Sequence, residues 1–166
     1  VADPWVFLER LQTRLAQEGA GEFDWGATPR LRFVHRGRRA AVEFDTEDLL
    51  LLDLEGSPPC QLRLSPEDAV SRALDRVGLS PEVKIGVPDF DDSYKIQHIS
   101  AEDAARFLND EIRAHIRRLE PFVRLEWMEQ GYRLSRRLTP SYGPQQVLED
   151  LAALEALRQA LEALAR

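Results

Sequence analysis

Cysteine is almost absent: Cys60 stands alone among 166 residues. That excludes an internal disulfide and any metal cage built from cysteines only, and it points to a reducing compartment, so the chain is expected in the cytoplasm. Long apolar runs are missing as well. The leucines at 49–52 fall far short of the ~18 residues that cross a bilayer. Residues 5–15 are amphipathic and charged, unlike the apolar stretch of a secretory leader. Membrane association is therefore expected only through a segment outside this chain. Lysine is scarce, with Lys84 and Lys95 against 20 arginines, and acids outnumber bases for a net charge of −7. That balance argues against general affinity for DNA, RNA or anionic lipid, and no nucleic-acid partner is expected. Phosphate-binding loops are lacking: Gly19-Ala20-Gly21 has no following lysine, and Gly86 has no glycine neighbours. No Gly-x-Ser-x-Gly elbow occurs. His35, His98 and His115 are too far apart to form a helical metal pair. No metal and no cofactor are expected.

What is present suits a soluble α+β domain spanning residues 1–166, with 43% hydrophobic and 31% charged residues. Asp3 and Pro4 open a helix over 4–17, with Phe7, Leu8, Leu11 and Leu15 as its apolar stripe. Residues 22–29 read as a loop whose Phe23 and Trp25 fold back on the core. Strands at 31–35 and 39–44 flank an Arg36-Gly37-Arg38 hairpin turn. Residues 49–54 are apolar in both registers and read as a central strand covered on both faces. A short strand at 61–64 and a helix at 66–77 follow, the latter opened by Ser65, Pro66 and Glu67. Further strands are expected at 83–85 and 94–99, a helix at 101–118, strands at 122–128 and 132–138, and a last helix at 144–165. The links are hairpins and single helices, not a βαβ series. That predicts a largely antiparallel or mixed sheet of about six to eight strands, with about four helices mainly on one face. Two helix–hairpin units, one turning at Gly37 and one at Gly131, form a weak internal repeat.

The most distinctive stretch joins the strands at 83–85 and 94–99. Its residues Gly86-x-Pro88-x-Phe90-Asp91-x-x-Tyr94-x-Ile96 resemble the Gly-Asp-Pro-x-Phe-Asp-x-x-Phe/Tyr-x-Val signature of an uncharacterised bacterial family. The resemblance extends more loosely over about residues 31–138. It implies a soluble α+β domain of a kind often joined to membrane-spanning helices, and it implies no activity. The aspartate usual after the glycine is Val87 here, which removes one carboxylate from any cation site in this turn.

The candidate site residues follow from charge and geometry. Asp89 and Asp91 alternate as calcium ligands would, but the turn glycine and later glutamate of a calcium loop are missing. Local backbone capping suits them better. His98 shares a strand face with Tyr94, and its convergence with Asp91 within hydrogen-bonding reach in a cleft would favour an enzyme. Arg36, Arg38 and Arg39 belong to a run of five arginines over residues 30–39. Six acids follow over 40–55 with no base among them. An anion-binding hairpin is one reading. Ion pairing between neighbouring strands on a wet face is the favoured one. The final helix carries Leu151, Leu154, Leu157, Leu161 and Leu164, a stripe wide enough to pack on the sheet at Val123, Leu125 and Trp127. The leading functional reading is a non-enzymatic module that binds a protein partner or itself, with a homodimer as one form. The alternatives are a small-ligand module with a pocket between sheet and helices lined by Trp127, Tyr94 and Phe107, and an enzyme using Asp89, Asp91 or His98.

Overall fold

Period-two alternation sorts this chain into a sheet with two unlike faces. The structure is a computed structural model that describes residues 3–67 and 82–166. It begins with α1 (Pro4–Gln17), opened by the Asp3 carboxylate accepting the Trp5 amide at 2.8 Å. The strands β1 (Gly21–Trp25), β2 (Arg30–His35), β3 (Arg38–Thr46), β4 (Leu49–Glu55) and β5 (Leu62–Pro66) follow. Beyond residues 68–81 come α2 (Pro88–Ser93), β6 (Tyr94–Gln97), α3 (Ala101–Phe107) and α4 (Asp110–Arg118). The chain then forms β7 (Arg124–Met128), β8 (Gly131–Arg137) and α5 (Pro144–Ala163). All eight strands join one antiparallel sheet in the order β1-β2-β3-β4-β8-β7-β5-β6.

Cross-strand register makes the core visible as a row. Leu31, Val42, Leu52, Leu134, Leu125, Leu64 and Ile96 are successive partners across seven strands, and each is at most 1% exposed. A second row runs Phe33, Ala40, Leu54, Tyr132, Trp127 and Leu62. Helices bury this face. α5 packs against β4 and β8 and against α1 and α4, and α1 packs on β1 and β2. Residues one step along each strand point the other way. Arg32, Ala41, Asp53, Arg133, Glu126, Arg63 and Gln97 make a row on the opposite face, charged at five of seven positions. A single polypeptide thus gives one face to the core and the other to charge.

Several expectations are corrected. Residues 21–25 are an edge strand, not a loop, although Phe23 and Trp25 do pack against the core as expected. β4 is central but covered on one face only: Leu50, Leu52 and Leu54 are buried, while Leu49 and Leu51 are half-buried on the charged face. The helix expected at 101–118 breaks in two, because the Asn109 side chain accepts the Ile112 amide at 3.0 Å and starts α4 afresh. The turn at 86–92 contains the short helix α2, and the strand expected at 83–85 is reduced to one bridge between Val83 and Ile96. α5 docks within its own chain but centres on β4 and β8, not on β7. The helix expected at 66–77 lies almost entirely outside the described residues. The two hairpins of the expected repeat both form. They occupy unlike places: β2 and β3 are second and third from one edge, β8 and β7 fourth and third from the other.

Candidate functional site

The residues singled out by sequence separate in space. Asp91, 8% exposed, turns its carboxylate back into the chain: Oδ1 accepts the Ile85 amide and Oδ2 the Gly86 amide, each at 2.9 Å. Both carboxylate oxygens are thereby engaged by backbone donors at the positive-φ Gly86 (φ +80°). Phe90 fills the core beneath, with its ring 4.8 Å from that of Tyr94. Asp89 is exposed, and its carbonyl, not its carboxylate, accepts from Ser93 Oγ at 2.6 Å. His98 ends β6 with φ +64° and is exposed, and no hydrogen bond joins it to Asp91. This turn is built as a structural clasp.

The three arginines of the hairpin also part company. Arg36 and Gly37, both at positive φ, form the tight turn between β2 and β3. Arg38 points to the helical face, 3.7 Å from Glu155 on α5. Arg39 is exposed on the charged face, where its backbone amide donates to Glu55 Oε2 at 3.0 Å.

The remaining residues offer little nucleophilic or metal chemistry. Cys60 is half-buried; Trp127 Nε1 donates to its Sγ at 3.4 Å, and burial pushes the thiol above its ordinary range, which keeps it protonated and inert. Among the described residues no group of three His, Cys, Asp or Glu is placed to hold a metal. Trp127, Tyr94 and Phe107 are each at most 3% exposed and fill the core, so they do not line a pocket.

The concave feature lies on the other side of the sheet. A groove of about 790 Å³ crosses β2, β3, β4 and β8 on the charged face and reaches the β7–β8 turn. Its walls carry Arg30, Arg32 and Arg39 at one end and Arg133, Met128 and Glu129 at the other. Ala41 sits between Arg32 and Asp53 in register and is buried. At Gly131 a Cβ would fall 2.4 Å from the Leu54 carbonyl oxygen, so the glycine lets β8 approach β4 closely. Met128 is 44% exposed at the rim.

Charge across this face is sorted. Arg133 grips Asp53 in a two-pronged pair at 2.6 and 3.0 Å, which raises the guanidinium pKa further. Arg63 and Arg124 both lie within 4 Å of Glu126, and Arg137 holds Asp48 at 2.6 Å. On the β2–β3 side the pattern differs. Arg32 reaches only Asp24, at 4.0 Å, with both side chains more than half exposed. Among the described residues, Arg30 and Arg39 have no carboxylate within ion-pair distance, and Arg30 Nε is buried without an acceptor. The expected pairing of the basic run with the acidic run is therefore corrected. Asp48 and Asp53 of the acidic run are taken by arginines of β8, while Arg32 and Arg38 reach acids outside that run, Asp24 and Glu155. The sequence reading missed Arg133, Met128, Arg30 and Arg32 as site residues. The signal for them was the alternation that puts Leu31 and Phe33 in the core and hence Arg30 and Arg32 opposite.

Comparison with known protein families finds no match, and comparison with curated proteins finds none. Among solved structures, the crystal structure of the mycobacterial trehalose monomycolate transport factor A, TtfA, is similar over 92% of this chain and 93% of that one, with a TM-score of 0.62 and 11% identity. At that identity the likeness is one of fold alone.

Proposed function

We propose that this chain is a non-enzymatic protein-interaction module whose docking surface is the charged face of its sheet. The observation that carries the reading is the groove across β2, β3, β4 and β8. It lies on the face opposite the helical core, its lining includes an exposed methionine and two arginines, Arg30 and Arg39, without an ion-pair partner among the described residues, and its residues include no nucleophile held against a base. An antiparallel sheet with one dry and one wet face offers a partner a broad, preformed platform. Arginine and methionine are enriched in protein interfaces relative to other surface. The partner is another protein or a second copy of this chain. The resemblance of residues 86–96 to an uncharacterised bacterial family adds an expected bacterial setting, and the clasp at Asp91 gives that motif a structural role within it.

A small-ligand reading has one observation in its favour: the groove volume lies in the range of roughly 300–1,000 Å³ typical of ligand sites. Charged side chains are spread along its walls among the apolar ones, which suits a macromolecular surface better. Transport of the kind in the neighbour's name would rest on the fold alone, and the groove lends it no separate support.

The test is site-directed photocrosslinking. A benzophenone side chain at Met128 should yield discrete crosslinked species in cells making the protein, and the same group at Glu149, exposed on α5, should not. Mass spectrometry of the product separates a foreign partner from a second copy. Crosslinks from Glu149 with none from Met128 would place the docking surface on the helices and sink the reading.

A further inference from the structure

We infer that the β2–β3 wall of the groove receives a carboxylate-bearing, acidic peptide segment of the partner; the inference rests on the proposed interaction role and names the chemistry of what docks there. Three facts converge. Arg30 and Arg32 are two apart on β2 and so share a face, and Arg39 lies on β3 two positions from Ala41, the register partner of Arg32. Three arginines of one hairpin thus line a single groove. Arg63, Arg124, Arg133 and Arg137 on that face each have a carboxylate within 3.7 Å, whereas Arg32 reaches only the exposed Asp24 at 4.0 Å and Arg30 and Arg39 reach none among the described residues. The exceptions cluster. Arg30 Nε is also buried and lacks an acceptor, as does Arg63 Nε on the same face, but Arg63 has Glu126 at 3.7 Å while Arg30 has no carboxylate partner among the described residues, and a buried donor without a partner is costly.

Guanidinium forks match carboxylates two bonds at a time. Half-buried Val34, the register partner of Arg39, gives apolar contact next to the charge. Carboxylates in the groove limit what fits. Glu22, Glu55 and Glu129 line its margins, so a ligand's charge belongs on the arginine wall and its neighbours should be apolar or neutral. The overall charge of −7 opposes broad capture of polyanions, so recognition here is local and short-ranged.

The experiment uses the whole chain and a fluorescein-labelled octapeptide, Glu-Val-Asp-Leu repeated twice, with a Gln-Val-Asn-Leu repeat as control, read by fluorescence anisotropy. The acidic peptide should bind and the neutral one should not. The double variant Arg32→Glu/Arg39→Glu should weaken binding by about tenfold or more, the expected scale for placing like charges against each other. Arg10→Glu on α1, exposed and away from the groove, should leave it unchanged. Glu55→Gln should tighten it. Circular dichroism melting of each variant confirms that it is folded. Equal binding of the neutral peptide, insensitivity to the Arg32/Arg39 double variant, or tighter binding of an oligonucleotide of equal charge overturns the inference. Absence of peptide binding with Met128 crosslinks intact overturns the acidic class alone. Absence of both overturns the interaction role with it.

Discussion

At the residue scale, the clasp between Gly86 and Tyr94 separates three neighbouring side chains by what they touch. Phe90 is 1% exposed and packs on Tyr94, so Phe90→Ala should cost about 3–5 kcal/mol. Asp91→Ala strands the Ile85 and Gly86 amides and should cost about 1–3 kcal/mol. Asp92 is exposed and its replacement by Ala should be within about 0.5 kcal/mol of neutral. Urea denaturation at pH 7 ranks the three; equal effects at Asp91 and Asp92 would contradict the clasp. His35 supplies a pH effect. Its pKa lies below 6.5, chiefly because burial disfavours the charged ring and Arg36 repels it, with Glu18 and Glu155 opposing. The unfolded chain therefore takes up this proton first as pH falls. His35 contributes stability above pH 6.5 that is lost as pH drops from 6.5 through its folded value. Urea midpoints at pH 7.5, 6.5 and 5.5 should fall more steeply in the wild type than in His35→Gln, and parallel slopes would remove His35 as the source.

At the element scale, α5 is the piece on which the helical layer depends. Val147, Leu151, Leu154, Leu157 and Leu161 are each at most 3% exposed. Polar groups fix its position: Arg136 on β8 reaches Asp150 in two bonds, at 2.8 and 3.0 Å, and Tyr132 Oη donates to Glu162 at 2.9 Å. Arg136 is 7% exposed and also donates to the Leu119 carbonyl at 2.6 Å. Asp150→Ala thus leaves a buried guanidinium without its counter-charge and should cost about 3–5 kcal/mol. Deleting residues 144–166 should expose the Leu52 and Leu134 side of the sheet and cause aggregation or unfolding, seen by light scattering and circular dichroism. A truncated chain that stays folded and shifts only from dimer to monomer in sedimentation would make α5 an assembly element instead. Helices and hairpins of this kind were legible because their stripes and turns are local: 4–17, the Arg36-Gly37 turn and the final helix all appear where periodicity placed them. β1 was not, because Gly21, Gly26 and Pro29 crowd a five-residue strand with turn residues. The break at Asn109 was hidden too, since its capping bond depends on a side-chain orientation that a continuous apolar stripe masks.

At the scale of the whole molecule, the sheet explains why the site was harder to read than the fold. Core residues announce themselves by hydrophobic alternation, whereas the groove exists only once register sets Arg32 beside Ala41 and Asp53 beside Arg133, partners 80 positions apart in the last case. The basic run at 30–39 looked like one patch along the chain. The structure divides it: Arg30, Arg32 and Arg39 on one face, Arg38 against α5, Arg36 on the turn. That division bears on nucleic acid. A duplex or single strand needs several cations aligned along its backbone, and each phosphate contact adds to a steep salt dependence. Here three of the hairpin's arginines share one groove, with Glu22, Glu55 and Glu129 at its margins, all on a chain of net charge −7. Repulsion from the acids acts within a Debye length of about 8 Å at physiological salt, and neighbouring rows of this face, two residues apart, lie about 6.6–6.8 Å from each other. No submicromolar binding of a 20-nucleotide DNA or RNA is therefore expected at physiological ionic strength. Lowering the salt should raise affinity only weakly. Submicromolar binding that disappears in Arg36→Ala/Arg38→Ala/Arg39→Ala would show that the hairpin acts as a single cationic surface despite the division of its arginines between faces.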